Sequence, residues 1–138
     1  MDIETYKHIY NGLVALNKKT KPNYNNTVLD SPPFFGESEK ISFPITIFEE
    51  IRNTSTGYNS CYERVASVGY RVDILAQDKG KYSKLDIARE LAQMVDSYLC
   101  AIGLSRVSYN SDLLMQGTTY HIVMTYTGNL LENRRKFI

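Results

Sequence analysis

The chain is 138 residues long, the size of one ordinary domain, and long enough to bury about two-thirds of its unfolded surface without disulfide or metal staples. Its 16 Lys and Arg against 15 Asp and Glu leave a formal charge of +1, which argues against a chain whose main task is to coat nucleic acid or a membrane surface. At 43% hydrophobic residues it has material for a core and too much for a disordered chain, and its 11 Tyr and 5 Phe suit surfaces that are apolar on one side and wet on the other.

The start, Met1-Asp2-Ile3-Glu4, is polar and acidic and does not look like a signal peptide, so synthesis in a cytoplasm is the expectation. No apolar run approaches the roughly 18 residues of a membrane span. A first helix is predicted from about Ile3 to Asn17, because Tyr6, Ile9, Leu13 and Leu16 recur at spacings of three and four. Positions 18 to 40 turn polar and irregular, with Pro32-Pro33 followed by Phe34-Phe35-Gly36, and are expected as a long loop. Ile41, Phe43, Ile45 and Ile47 alternate with polar or smaller neighbours as a strand, and Pro44 places it at an edge or near its beginning. The Asn53–Ser60 cluster of Thr, Ser, Gly and Asn reads as a flexible loop.

The second strand carries Ala66, Val68, Tyr70, Val72 and Ile74 on one face and Ser67, Arg71, Asp73 and Gln77 on the other, with Gly69 hinting at a bulge or a close backbone approach. Asp78-Lys79-Gly80-Lys81 is a turn. Ser83 caps a second helix, with Asp86 three residues on, and Gly103 ends it. A third strand holds Arg106 to Tyr109. The fourth puts Tyr120, Ile122, Met124 and Tyr126 on one face, and a polar tail follows from about 128 to 138. The order is α-β-β-α-β-β. Each helix has one apolar stripe and the best strands one apolar face. The fold class is therefore α+β: a single two-layer domain over 1–138, one mixed or antiparallel sheet with two helices packed on one face.

Chemistry-bearing groups are sparse. His8 and His121 each read as a lone solvated histidine, and neither has a ligand at metal spacing. Cys61 and Cys100 fit no metal or redox pattern. Asp73 with Asp78 is the one pair that offers a magnesium site near a strand end. No glycine-rich phosphate loop is present. The basic groups Lys18-Lys19-Lys21, Lys79-Lys81-Lys84 and Arg134-Arg135-Lys136 are offset by acid elsewhere and form no continuous stripe. No catalytic residue, metal or cofactor is expected, and the remaining signals point to association.

An ordered pattern runs through the chain. The strand Ser42-Phe43-Pro44-Ile45-Thr46-Ile47-Phe48-Glu49 is followed by Gly69-Tyr70-Arg71-Val72-Asp73-Ile74-Leu75-Ala76. A helix opens on Ser83-Lys84-Leu85-Asp86-Ile87-Ala88, then come Gly103-Leu104-Ser105-Arg106 and Tyr120-His121-Ile122-Val123-Met124-Thr125-Tyr126. In that order, from about Ile41 to Gly128, the chain resembles the tail terminator (tail completion) proteins of long-tailed bacteriophages. The resemblance implies a ring, typically a hexamer, seated on the last ring of the tail tube at the tail–neck junction of the virion and made in the bacterial host cytoplasm. Such a ring stops tube growth and presents a surface to the neck. It is not an enzyme and holds no cofactor. Its partners are itself, the tail tube protein and a head-completion or neck protein, while DNA only passes through the lumen.

A cyclic ring is a head-to-tail assembly in which two different patches of each subunit meet. Phe34, Phe35, Tyr58 and Tyr62, in the two loops flanking the first strand, are the candidates for part of that self-assembly or neck interface. Two other readings stand beside it: another neck component, such as a head-closure or connector protein, and a small metal-dependent nuclease or hydrolase using Asp73 and Asp78.

Overall fold

In the computed structural model of the protein, the residues described are 3–17, 24, 26–30, 43–58, 64–131 and 136–138. Helix α1 spans Ile3–Asn17 and α2 spans Lys84–Ala101. The strands are β1 (Thr27–Leu29), β2 (Ile45–Tyr58), β3 (Arg64–Ala76), β4 (Ser105–Leu114), β5 (Thr119–Leu131) and β6 (Lys136–Phe137). They form one sheet in the order β1-β2-β3-β5-β4, with β6 added at the end of β5. Only β1 runs parallel to its neighbour; the other pairings are antiparallel, so the sheet is mixed. The α+β class expected from the sequence is what the chain adopts.

The alternation in β3 sets the layer arrangement. Ala66, Val68, Tyr70, Val72, Ile74 and Ala76 are all buried on one face. Across the register, Phe48 and Met124 flank Val72, and Tyr126 and Ile122 stand beside Tyr70 and Ile74. Both helices lay their stripes here: Ile9 and Leu13 from α1, and Ile87, Ala88, Leu91, Ala92, Val95 and Leu99 from α2, join one cluster with these strand residues. Each large aliphatic side chain fully buried this way contributes about 2 kcal/mol. Tyr6 stacks on Phe48, and Phe48 on Tyr70, with ring centroids 5.2 Å apart in both pairs.

The helix starts and stops follow local chemistry. Ser83 takes an extended conformation and its hydroxyl accepts the Asp86 N–H at 3.2 Å, which satisfies one of the free donors of the first turn. At the other end Gly103 takes φ +109°, a conformation that L side chains rarely adopt. The two helices meet where α1 has no side chain: a Cβ on Gly12 would lie 2.0 Å from the Tyr98 hydroxyl.

Three differences from the sequence expectation have physical causes: a strand within 18 to 40, a longer β2 and a tail that packs. Positions 18 to 40 contain β1, held by Asn26 Nδ2 donating to Thr46 Oγ1 at 3.0 Å and by Lys79 Nζ donating to the Tyr24 carbonyl at 2.8 Å. Asn53 to Tyr58, expected as a loop, continues β2, because β3 offers a partner as far as Arg64. The register shifts between Glu50 and Arg52, opposite Gly69, so the irregularity that Gly69 signals sits on the neighbouring strand. There a Cβ would come within 3.3 Å of Ile51. Pro44 directly precedes β2, as expected, and β1 pairs only with the first three residues of that strand, Ile45 to Ile47. Finally, the tail from 128 onward is not merely polar: Leu130 and Leu131 are buried in β5, and Phe137 packs on the core through β6.

Candidate functional site

The sheet face away from the helices carries a row of alternating charges. Glu49 on β2, Arg71 and Asp73 on β3, His121 on β5 and Asp112 on β4 project to this side, since the helix face is taken by their neighbours. Arg71 grips Asp73 with two bonds, Nε to Oδ1 at 2.7 Å and Nη2 to Oδ2 at 3.0 Å, and lies 4.0 Å from Glu49. His121 bridges two carboxylates, Nε2 to Asp73 Oδ2 and Nδ1 to Asp112 Oδ1, both at 2.9 Å. Four strands are thereby tied side chain to side chain.

The electrostatics favour the charged forms. The His121 pKa is raised, first by its hydrogen bond to Asp73, with burial opposing and Asp112 adding to the rise. For Asp73 burial alone acts upward, but the hydrogen bonds from His121 and Arg71 together hold its carboxyl below the usual range. With each imidazole nitrogen on a carboxylate, the ring offers no free nitrogen to act as a base or a metal ligand. His121, expected as a lone solvated histidine, is instead a cross-strand tie with 12% of its side chain exposed.

The Asp73 and Asp78 pair is not assembled. Asp78 accepts the Lys84 N–H at 2.8 Å at the start of α2, while Asp73 is committed to Arg71 and His121. Among the described residues no group of three His, Cys, Asp or Glu side chains converges to hold a metal.

On the helix side, Asp96 accepts from the Tyr126 hydroxyl at 2.7 Å and lies 3.5 Å from Arg106. Burial, then the bond to Asp96, pushes the Tyr126 phenol far up, so it stays a proton donor. Between α2 and β4 lies an open groove of about 190 Å³, lined by Arg89, Ala92, Gln93, Asp96, Arg106 and Tyr109.

The two long edges of the sheet differ. At the β1 edge, Thr27 N bonds to Pro44 O, so the intervening Val28 directs its own groups outward. The Val28 carbonyl accepts from the Tyr10 hydroxyl at 2.9 Å, and the Tyr6 hydroxyl lies 2.6 Å from the Phe48 carbonyl of β2 and 3.0 Å from that of Asp30, so α1 covers β1 and the start of β2; beyond Phe48, β2 has no strand outside it among the described residues. The β4 edge has no such cover. Val107, Tyr109, Leu113 and Met115 are exposed by 65%, 42%, 56% and 55%, four of the six large exposed hydrophobic residues among those described. Exposed apolar side chains on an open edge strand favour pairing with another chain.

Comparison of the chain with protein-family models and with curated proteins finds no match. Of the interface candidates named from sequence, Phe34, Phe35 and Tyr62 lie outside the described residues. Tyr58 is the last residue of β2, opposite Arg64, and its side chain is likewise outside the description. The exposed β4 residues were not among the candidates. Their signal is present in the sequence as alternation, Val107, Tyr109, Ser111, Leu113 and Met115, but Ser111 interrupts the apolar row and Leu114 blurs the alternation.

Proposed function

We propose that this chain is a structural subunit that forms a ring, a hexamer, on the end of a phage tail tube, stops tube polymerisation and provides the surface that joins tail to head. The observation that supports the reading is the unequal pair of sheet edges: on one side α1 covers β1 and the start of β2, and β2 continues with Glu49, Glu50 and Arg52, while on the other side β4 is open and apolar. A head-to-tail ring needs a subunit with unlike sides. An open strand edge supplies directional backbone hydrogen bonds to a neighbour, and its apolar side chains supply burial. The polar row from Glu49 to Asp112 supports the same reading, because it spends its charges on stiffening the sheet. Tube protein and a neck protein are the partners of the two ring faces, and DNA passes the lumen unread.

Electron microscopy of tails assembled with and without the chain tests this. Overlong tubes in its absence, and rings at tube ends in its presence, are the expected result. Tubes of normal length without it overturn the proposal, and capping of tailless heads alone moves the subunit to the head side of the neck.

A further inference from the structure

The β4 stripe has an internal symmetry that the ring reading does not use. Tyr109, Ser111 and Leu113 stand opposite Met124, Ile122 and Tyr120 of β5, and so share the helix-covered face. Val107 is the extra residue where the register shifts between Arg106 and Ser108, and Met115 opens the turn after β4; the two extend the row at either end. The row therefore reads apolar, aromatic, small, apolar, apolar at alternate positions. Its centre is Ser111, the only small side chain in it. Yet α2 leaves the row uncovered, with a groove between Ala92, Gln93 and Tyr109.

We infer that in the free protein β4 pairs antiparallel with β4 of a second copy, across a two-fold axis through Ser111. In this register Tyr109 faces the partner's Leu113, and Val107 the partner's Met115, each contact occurring twice. All four exposed hydrophobic residues of the edge are then covered by one another. On the opposite face Asn110 meets the partner's Asp112, a neutral donor against a carboxylate. Moving the axis to Asn110 instead sets Tyr109 against Ser111 and leaves Met115 against Ser105, so the pattern selects one register. At the other side of the sheet Tyr10 and Tyr6 take up carbonyls of the β1 segment, and β2 beyond its pairing with β1 carries Glu49, Glu50 and Arg52, charges that discourage edge pairing, so the edge with a self-complementary apolar row is β4. A two-fold contact is isologous and closes on itself. It is thus distinct from the ring contact and masks the open edge before assembly.

Site-specific oxidation tests this on the full chain with Cys61→Ser and Cys100→Ser as background. Residues facing themselves on paired strands have Cα atoms about 4.5 to 5.5 Å apart, within disulfide range. Ser111→Cys is expected to form a disulfide dimer at least about tenfold faster than Lys7→Cys on the exposed face of α1, since pairing raises the local thiol concentration. Mixing Tyr109→Cys with Leu113→Cys is expected to yield the mixed dimer. Adding Leu113→Lys, at an exposed position that does not disturb the core, is expected to abolish the Ser111→Cys dimer while circular dichroism stays unchanged. Equal rates for Ser111→Cys and Lys7→Cys in folded protein overturn the inference. Tube capping measured on the same background separates the two readings: rings without the Ser111 cross-link refute only the two-fold pair, and the cross-link without tube capping refutes only the ring.

Discussion

Replacing His121 by Gln removes a cation from between two carboxylates. Both His121 and Asp73 are nearly buried, with 12% and 13% of their side chains exposed, so their bond operates at reduced solvent screening. A charge-assisted hydrogen bond of this kind is worth about 2 kcal/mol. Asp112 is 59% exposed, and its bond to His121 is screened to about 0.5 kcal/mol. Asp73 is not orphaned by the change, because Arg71 still holds it with two bonds. The expected loss below pH 6.5, where the imidazole contribution is complete, is therefore about 2 to 3 kcal/mol, and for a chain of this length that lowers Tm by roughly 6 to 10 °C.

The pH dependence carries the sharper test. The folded pKa of His121 lies above its ordinary 6.5, so the stability it contributes is complete below 6.5 and is lost as pH rises through the raised value. The folded pKa of Asp73 lies below its ordinary 3.8, so its contribution is present above 3.8 and is lost as pH falls through the lowered value. Urea denaturation of wild type and His121→Gln from about pH 5 to about pH 9 measures the gap between them. It is expected to be widest on the acidic side of neutrality and to narrow on the alkaline side. A gap that is constant across the range, or that widens with pH, refutes the cation-bridge assignment.

Gly12→Ala is expected to destabilise the chain by about 1 to 3 kcal/mol despite the better helix propensity of Ala, because the new Cβ falls 2.0 Å from the Tyr98 hydroxyl and the whole ring must move. Adding Tyr98→Ala should relieve most of that clash, which denaturation of the double mutant measures as strong non-additivity. Tyr10→Phe is expected to cost about 1 kcal/mol by freeing the Val28 carbonyl, and amide exchange should rise first in β1 and the adjoining part of β2. Ser83→Ala is expected to cost about 1 kcal/mol through the lost cap on Asp86 N–H, with Ser83→Asp restoring it.

The helices and the two best strands were legible because their signals are local. Periodicity at three and four residues marks Ile9 and Leu13; alternation marks Ala66 to Ile74; Ser83 and Gly103 punctuate α2. What was not legible depends on a partner remote in sequence. Thr27 to Leu29 is too short to announce itself and exists as a strand because β2 and the α1 tyrosines take up its backbone groups. Asn53 to Tyr58 has loop composition, and its pairing depends on β3. The same holds for His121: nothing at positions 120 to 122 tells that Asp73, 48 residues earlier, and Asp112, nine residues earlier, arrive on either side of the ring.

The contrast between the two edges also traces to where the tyrosines fall. Tyr6 and Tyr10 lie one helical turn apart on α1, so both hydroxyls reach the same side and meet successive outward carbonyls of the β1 segment. The second helix has no such pair toward β4. Facing that side it carries Arg89, Ala92, Gln93 and Asp96, and Arg106 reaches back to Asp96 and lies over the Tyr109 ring, leaving Val107, Leu113 and Met115 without cover. Charge on an edge normally discourages pairing. Here the charge is drawn inward to neutralise Asp96 beside the Tyr126 hydroxyl, and the outer row from Val107 to Met115 is left apolar. The arrangement that settles the half-buried Asp96 carboxylate is thus the one that leaves β4 ready for a second chain.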